Sequence, residues 1–143
     1  MILDEIAAKT RERIEKRKQE ITPETIKAQA EKIAEKEKQQ GGFSFPFEQA
    51  LKKNGISFIC EVKKASPSKG VIAEDFPYLA IAKEYEAAGA SALSVLTEPY
   101  YFMGNDTYLK EIANQVQIPV LRKDFTVDEY MIYEAKVLGA SAV

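Results

Sequence analysis

Two copies of one short pattern, fifty residues apart, constrain the fold of this chain more than any other feature. Residues 89–93 read Gly-Ala-Ser-Ala-Leu and residues 139–143 read Gly-Ala-Ser-Ala-Val. In each copy a glycine ends a helix-like segment and an apolar, strand-like segment begins. Two further strand-like segments begin near residues 57 and 118. A repeat of strand, loop and helix with short connections predicts a parallel sheet with right-handed crossovers.

The repeat predicts four strands and three helices. We expect the strands at 57–63, 90–96 and 118–123 and from residue 140 onward, and the helices at 78–88, 106–116 and 128–138. Asp75 is the expected N-cap of the first of these helices. The segment 90–96 is almost entirely apolar, which is typical of a strand covered on both faces.

The spacing of the strand starts favours a (β/α)8 barrel, which typically needs about 250 residues. A doubly wound open sheet is the alternative. The sequence has no Gly-x-Gly-x-x-Gly fingerprint after the first strand and no Walker-type phosphate loop, so it lacks the usual signatures of that alternative. The last residue, Val143, falls within the fourth predicted strand. We therefore expect residues 43–143 to form the first half of a barrel, with strands 1–3 and the start of strand 4.

Residues 1–42 are expected to form an N-terminal helical extension. The segments 2–18 and 23–39 are rich in Glu, Lys, Ala and Gln, which favours helix. Neither segment contains an internal glycine or proline, since Pro23 is the first residue of the second one. Thr22 is a plausible N-cap for the second helix, with Pro23 at its first position.

Composition restricts the available chemistry. The 143 residues include no histidine and a single cysteine, so a histidine triad is excluded and a zinc site is not expected. Acid–base catalysis would fall to Lys, Glu, Asp or Tyr.

The charge balance and hydropathy limit the expected partners. With 20 basic and 22 acidic residues, the net charge of −2 gives no reason to expect a nucleic-acid partner. No apolar run is long enough for a membrane span and the N-terminus lacks a secretion signal, so we expect a cytoplasmic protein with no membrane partner.

The carboxyl ends of the first and third predicted strands carry the candidate catalytic groups. Alternation places Glu61 and Lys63 on one face of the first strand, and it places Lys123 on the opposite face of its strand from Arg122. Barrel enzymes hold their catalytic groups at this edge of the sheet. The loop at 64–70 combines Ser, Pro and Gly with two lysines, which suits an anion such as phosphate. Lysines that merely face water at strand ends are the alternative interpretation.

Four segments of the chain resemble the indole-3-glycerol-phosphate synthase family of tryptophan biosynthesis. They are Glu-Val-Lys-Lys-Ala-Ser-Pro-Ser at 61–68, Ser-Val-Leu-Thr-Glu at 94–98, Tyr-Phe-Met-Gly at 101–104 and Leu-Arg-Lys-Asp-Phe at 121–125. The N-terminal helical segment is also similar to the extra region of that family. The resemblance covers the whole chain but only the first half of the family's barrel. The second half, which in the family supplies another catalytic glutamate and most phosphate-binding loops, is expected to be missing.

The resemblance implies a lyase that acts on a phosphorylated small molecule. Its members close the indole ring of 1-(2-carboxyphenylamino)-1-deoxyribulose 5-phosphate with loss of carbon dioxide and water, and they use neither a metal nor an organic cofactor. By this resemblance Lys123 would be the general acid that protonates the substrate carbonyl oxygen. Lys63 would bind the substrate carboxylate and assist proton transfer, and Glu61 would pair with Lys63 and orient it.

The resemblance also implies three substrate-binding residues. Ser66 would contact the phosphate, while Phe102 and Phe125 would enclose the anthranilate ring. These residue types fit the substrate, because a planar ring favours aromatic walls and an anion favours cations and hydrogen-bond donors.

Two other interpretations remain open from the sequence. One is another phosphate-binding barrel enzyme such as phosphoribosylanthranilate isomerase, although the long N-terminal helical extension and the Lys-Asp-Phe segment speak against it. The other is a non-catalytic half-barrel that serves as a folding or assembly module. In every case we expect the isolated chain to be inactive, and either to self-associate or to need its missing C-terminal half.

Overall fold

The computed structural model describes residues 1–143, which form five strands and six helices. The strands are β1 (Ile59–Val62), β2 (Ala65–Ser66), β3 (Gly70–Val71), β4 (Ala92–Leu96) and β5 (Val120–Lys123). The helices are α1 (Ile2–Glu20), α2 (Pro23–Gln39), α3 (Pro46–Leu51), α4 (Tyr78–Ala87), α5 (Asp106–Gln115) and α6 (Glu129–Leu138). No helix combines the length and the apolar character needed to cross a membrane.

The chain divides into two compact units. The helical unit contains Met1–Ser44 and Phe125–Val137, and the sheet unit contains Phe45–Asp124 and Leu138–Val143. Each unit therefore draws on two separate parts of the sequence.

The sheet unit is built on a three-stranded parallel sheet in which β4 lies between β1 and β5. Glu61 lies opposite Ser94, and Ser94 lies opposite Leu121 on the other side. The predicted parallel α/β sheet is thus confirmed. The three strands do not form a closed barrel.

The central strand β4 is buried along its whole length, as its apolar sequence predicts. Helix α4 packs against β1 and β4, and α5 packs against β4 and β5. The side chains of Ala82, Leu109 and Ile112 on these helices are fully buried. The alternation of strand and helix in the sequence is therefore realised as a sheet with helices that cover one face.

The segment after β1 differs from the sequence prediction. It contains a small antiparallel hairpin, in which Ala65 lies opposite Val71 and Ser66 lies opposite Gly70, and not a simple loop. Gly70 adopts a φ of 65°, a left-handed conformation that glycine tolerates. Strands of two residues are too short to show a periodicity, and this is why the sequence did not reveal them.

One further prediction needs correction. Asp75 does not cap α4, because the N-cap position is Pro77 and no side chain caps this helix. The start of the fourth predicted strand does lie beside β5, where Leu121 and Ala142 form a parallel bridge.

The helical unit confirms both N-terminal helices. Thr22 caps α2 as predicted, since its hydroxyl oxygen accepts a hydrogen bond from the backbone N–H of Thr25 at 3.2 Å. The core of this unit joins α1, α2 and α6 and consists of Ile14, Ile26, Tyr130 and Met131. The hydroxyl of Tyr130 donates a hydrogen bond to the carbonyl oxygen of Ile21 at 3.0 Å.

Two ion pairs within the helical unit link α1 to α6 and to Asp128, the residue before α6. Lys18 Nζ lies 2.7 Å from Asp128 Oδ2, and Arg17 lies 2.9 Å from the buried carboxylate of Glu134. The hydrogen bond from Lys18 holds the pKa of Asp128 below its usual range, assisted by the backbone N–H of Tyr130. The same hydrogen bond raises the pKa of Lys18.

These pKa shifts predict how the stability of the chain depends on pH. The lowered pKa of Asp128 stabilises the fold above about pH 3.9, and this contribution is lost as the pH falls through the folded-state value. The raised pKa of Lys18 stabilises the fold below about pH 10.4, and this contribution is lost as the pH rises through its folded-state value. Urea denaturation followed by circular dichroism, at constant chain concentration, measures both effects.

Asp128→Asn isolates the charge, because the amide oxygen can still accept the N–H of Tyr130. We expect this variant to be less stable near neutral pH and to lose less stability in acid than the unchanged chain. Glu129→Gln, at the neighbouring exposed position, is the matched control. Equal acid sensitivity of Asp128→Asn and the unchanged chain would contradict the assignment.

Candidate active site

The three parallel strands end at one edge of the sheet, where an ion pair stands on β1. Glu61 is the penultimate residue of β1 and Lys63 follows its last residue. Glu61 Oε1 lies 3.0 Å from Lys63 Nζ, while Glu61 Oε2 accepts a hydrogen bond from Ser94 Oγ at 3.1 Å. Both carboxylate oxygens are engaged, so Ser94 of β4 orients the carboxylate with which the Lys63 ammonium group pairs. Each of the two charged side chains remains 33% exposed, and a ligand can therefore reach the ammonium group.

Lys123 stands at the same level on the other side of β4. It is the last residue of β5 and lies opposite Leu96. Because Val62 is paired with Val95, the next residue, Lys63, falls at the level of Leu96 as well. Side chains at one level of a parallel sheet share a face. Lys63 and Lys123 therefore flank the end of β4 on the same face, and Lys123 is exposed.

Ser66 is buried in the hairpin that follows this edge. Its Oγ accepts a hydrogen bond from the backbone N–H of Lys69 at 3.3 Å. Its predicted phosphate contact stays a prediction.

The two predicted ring-binding residues lie in different units. Phe102 is half-buried in the loop between β4 and α5 of the sheet unit. Phe125 is half-buried in the helical unit. Their roles also remain predictions, as do those of Glu61, Lys63 and Lys123.

A buried polar network behind Lys123 was missed by the sequence analysis. The side chain of Arg122 is only 2% exposed, its Nε donates to Thr97 Oγ1 at 3.0 Å, and its Nη2 donates to Asp106 Oδ1 at 2.8 Å. Thr97 in turn donates to Asp124 Oδ2 at 2.6 Å. The available signal was the position of Arg122 on the helix-covered face, because a charge buried there requires partners. The network fixes the end of the strand that carries Lys123.

The buried carboxylate of Glu98 was also missed. It lies two residues beyond β4 and is 1% exposed. Its oxygens accept hydrogen bonds from the backbone N–H groups of Tyr100, Tyr101 and Phe102 at 3.0, 2.7 and 3.0 Å. Glu98 closes the segment Ser-Val-Leu-Thr-Glu at 94–98, but no local pattern showed that its side chain would be buried, because a glutamate after a strand most often faces water.

The fold and the site define a class of protein. A parallel α/β sheet carries a glutamate-paired lysine and a second lysine at its carboxyl edge, which is the edge where α/β proteins bind their ligands. No group of three His, Cys, Asp or Glu side chains is placed to hold a metal ion. A family model described as indole-3-glycerol phosphate synthase matches residues 3–143. The chain belongs to the indole-3-glycerol phosphate synthase family.

Curated proteins similar to this chain carry the name of the same family. The chain is 55% identical over 143 residues to the indole-3-glycerol phosphate synthase of Ruminiclostridium cellulolyticum, and 54% identical over 143 residues to that of Endomicrobium trichonymphae. Each alignment covers 100% of this chain and 53% of the relative. The protein of the same name from Lachnoclostridium phytofermentans is 49% identical, with 55% of its length covered. The chain thus spans about half the length of the curated relatives it matches.

The buried network predicts a measurable loss of stability. Asp106→Ala removes one partner of the buried guanidinium of Arg122, and we expect the free energy of unfolding to fall by about 1.5–3 kcal/mol, the range for a hydrogen bond to a charged group. Asp106→Asn should lose less, because its amide oxygen can still accept. Urea denaturation gives both values, with Asp75→Ala at an exposed, non-capping position as the control. Equal losses in Asp106→Ala and Asp75→Ala would show that Arg122 does not depend on Asp106.

Proposed function

We propose that this chain carries catalytic residues of an indole-3-glycerol phosphate synthase that acts on 1-(2-carboxyphenylamino)-1-deoxyribulose 5-phosphate. The observation that carries the proposal is the placement of Lys63 and Lys123 on one face of the sheet at its carboxyl edge, with Lys63 held by Glu61. Membership of the family supports the choice of substrate and reaction. The substrate carries a carboxylate and a phosphate, and both favour lysines as partners.

In the proposed reaction the ring carbon that bears the carboxylate attacks the ketone carbon of the sugar chain. Lys123 donates a proton to the ketone oxygen, which becomes a hydroxyl as the new carbon–carbon bond forms. Carbon dioxide then leaves from the ring carbon, and the hydroxyl leaves with a proton as water, so that the indole becomes aromatic. Proton donation by a positioned side chain contributes typically 10²–10⁴-fold to such a rate.

Lys63 is proposed to bind the substrate carboxylate until it is lost and to assist proton transfer. Ser94 donates a hydrogen bond to Glu61, and Glu61 forms the ion pair that holds the Lys63 ammonium group at the end of β1. A preorganised charge stabilises the developing charge of a transition state better than a mobile one. Glu61 therefore acts in this proposal by orienting Lys63.

The binding of the rest of the substrate is assigned to three residues. Ser66 would contact the phosphate, and the hairpin that holds it follows directly after β1. Phe102 and Phe125 would enclose the anthranilate ring. The reaction as proposed needs no metal or organic cofactor.

The architecture proposed with this function is the (β/α)8 barrel. Residues 1–42 would be a helical extension, and residues 43–143 would supply strands 1–3 and the start of strand 4. The parallel order of β1, β4 and β5 and the helices between them support this assignment. A cytoplasmic location, without nucleic-acid or membrane partners, is part of the same proposal.

The general acid is tested by Lys123→Ala in a protein of the family's full length that carries this segment. Such a protein can be made by joining this chain to the remaining part of the Ruminiclostridium cellulolyticum relative. We expect kcat to fall by about 10²–10⁴-fold, with substrate affinity changed by less than about tenfold. Indole fluorescence reports product formation.

Lys83→Ala, at an exposed position on α4, is the matched control for Lys123→Ala and should keep the activity. A Lys123→Ala protein whose kcat stays within a few-fold of the unchanged protein would rule out Lys123 as the general acid. Absence of product from the unchanged full-length protein would overturn the proposed function itself.

The isolated chain is proposed to be inactive and to associate with a second copy or with a missing C-terminal half. β1 is an edge strand of the sheet, and Phe58 and Ile59 at this edge are 61% and 48% exposed. An apolar edge strand with unpaired backbone groups favours pairing with another chain. We predict that size-exclusion chromatography with light scattering gives a mass above 16.0 kDa or that the chain unfolds without cooperativity. A compact, cooperatively unfolding monomer that makes product would contradict this proposal.

A further inference from the structure

The buried carboxylate of Glu98 has no part in the proposed chemistry, yet its partners are unusual. It is 1% exposed, and both of its oxygens accept backbone hydrogen bonds. Oε1 accepts from Tyr100, and Oε2 accepts from both Tyr101 and Phe102. Three N–H groups in a row are thus bound by one side chain from within the same loop. Hydrogen bonds to a carboxylate are shorter and stronger than those between neutral groups, so the backbone of this segment is held firmly.

The backbone of the same loop is closed tightly on its other side. The N–H of Gly104 donates to the carbonyl oxygen of Glu98 at 2.7 Å. A Cβ at position 104 would lie 2.4 Å from the carbonyl oxygen of Leu96, so only glycine fits there. The residue before it, Met103, has a φ of 52°, which is uncommon for a residue other than glycine. The loop therefore holds a demanding conformation, and the Glu98 carboxylate lies at its centre.

We propose that Glu98 is the positioning residue for Phe102, and that it sets how tightly the substrate ring is held. This inference rests on the proposed function, in which Phe102 forms one wall against the anthranilate ring. The bond from the Phe102 N–H fixes the backbone at the residue that bears the ring. Phenylalanine has only two side-chain torsions, so a fixed backbone restricts the ring to few positions. Glu98 acts through Phe102 and does not touch the substrate.

A merely structural role for Glu98 predicts a different pattern of kinetic changes. Partial unfolding would reduce the amount of active protein, which lowers the apparent kcat and leaves KM unchanged. Loss of a ring wall weakens the binding of substrate, which raises KM. A structural role would also act regardless of which side chain stands at position 102. These two differences separate the alternatives.

The test is a double-mutant cycle in the full-length protein, with Glu98→Gln, Phe102→Ala and the variant that combines them. Glu98→Gln keeps the size of the side chain but places an amide NH2 against backbone donors. We expect it to raise KM on the order of tenfold when Phe102 is present. In the Phe102→Ala background the same change should raise KM by less than about threefold, because the ring it positions is already gone. Glu84→Gln, at an exposed position of α4, is the control and should leave KM and kcat unchanged.

The change in KM in the two backgrounds either supports or overturns the role of Glu98. A tenfold rise in KM that disappears in the Phe102→Ala background supports it. Equal effects of Glu98→Gln in both backgrounds, or a fall in kcat with KM unchanged, would overturn it. If Glu98→Gln is not recovered folded, Glu98→Asp enters the same cycle under the same criterion, since the shorter side chain moves the acceptor away from the three N–H groups.

A binding measurement tests the role of Glu98 separately from the proposed reaction. The same cycle can be measured on the dissociation constant of indole-3-glycerol phosphate, which carries the ring and needs no turnover. A full-length protein that binds this probe with the expected coupling but forms no product would overturn the proposed reaction and support the role of Glu98. A protein that forms product without coupling between the two positions would overturn only the role of Glu98.

Discussion

The parallel register of β1, β4 and β5 is the constraint on which the candidate site depends. It aligns Glu61 with Ser94, and it aligns Leu96 with Lys123. Side chains alternate between the two faces of a strand, so a slip of one residue in β5 would turn Lys123 to the helix-covered face and Arg122 to the open one. The hydrogen bond between Ser94 and Glu61 crosses from β4 to β1 and is consistent with this register. The relative placement of both lysines thus follows from backbone pairing.

The end of β5 carries one charged side chain on each face, and one of them is exposed while the other is buried. Lys123 is exposed on the open face, where a ligand can reach it. Arg122 is buried on the other face and is bound to Asp106 and Thr97. A buried guanidinium strongly favours the one arrangement that satisfies it, because an unpaired buried charge is costly. We interpret this network as the device that fixes the end of β5, and the Glu98 loop as the equivalent device at the end of β4.

Much of the fold could be predicted from the sequence, because it depends on local signals. The helices α1 and α2, the cap at Thr22 and the buried strand β4 all follow from composition and periodicity within short windows. The placement of Glu61, Lys63 and Lys123 required only alternation and the rule that parallel strands end at one edge.

The missed features depend on contacts between distant residues or on very short segments. The partners of Arg122 lie 16 and 25 residues away, and no local pattern shows which residues will meet it. The helical unit combines the N-terminus with Phe125–Val137, because Tyr130 and Met131 share a core with Ile14 and Ile26. The hairpin at Ala65–Val71 has strands of only two residues, and such strands carry no period.

We propose that Lys63, held by Glu61, binds the carboxylate that the proposed reaction expels. The most direct test compares Lys63→Ala with the unchanged full-length protein on two ligands. These are the substrate, measured by KM and kcat, and its analogue without the carboxylate, measured as an inhibitor. We expect a raised KM and a lowered kcat for the substrate, because the contact exists before and during the reaction, and little change in the inhibition constant of the analogue. An equal loss of affinity for both ligands would show that Lys63 has a different partner.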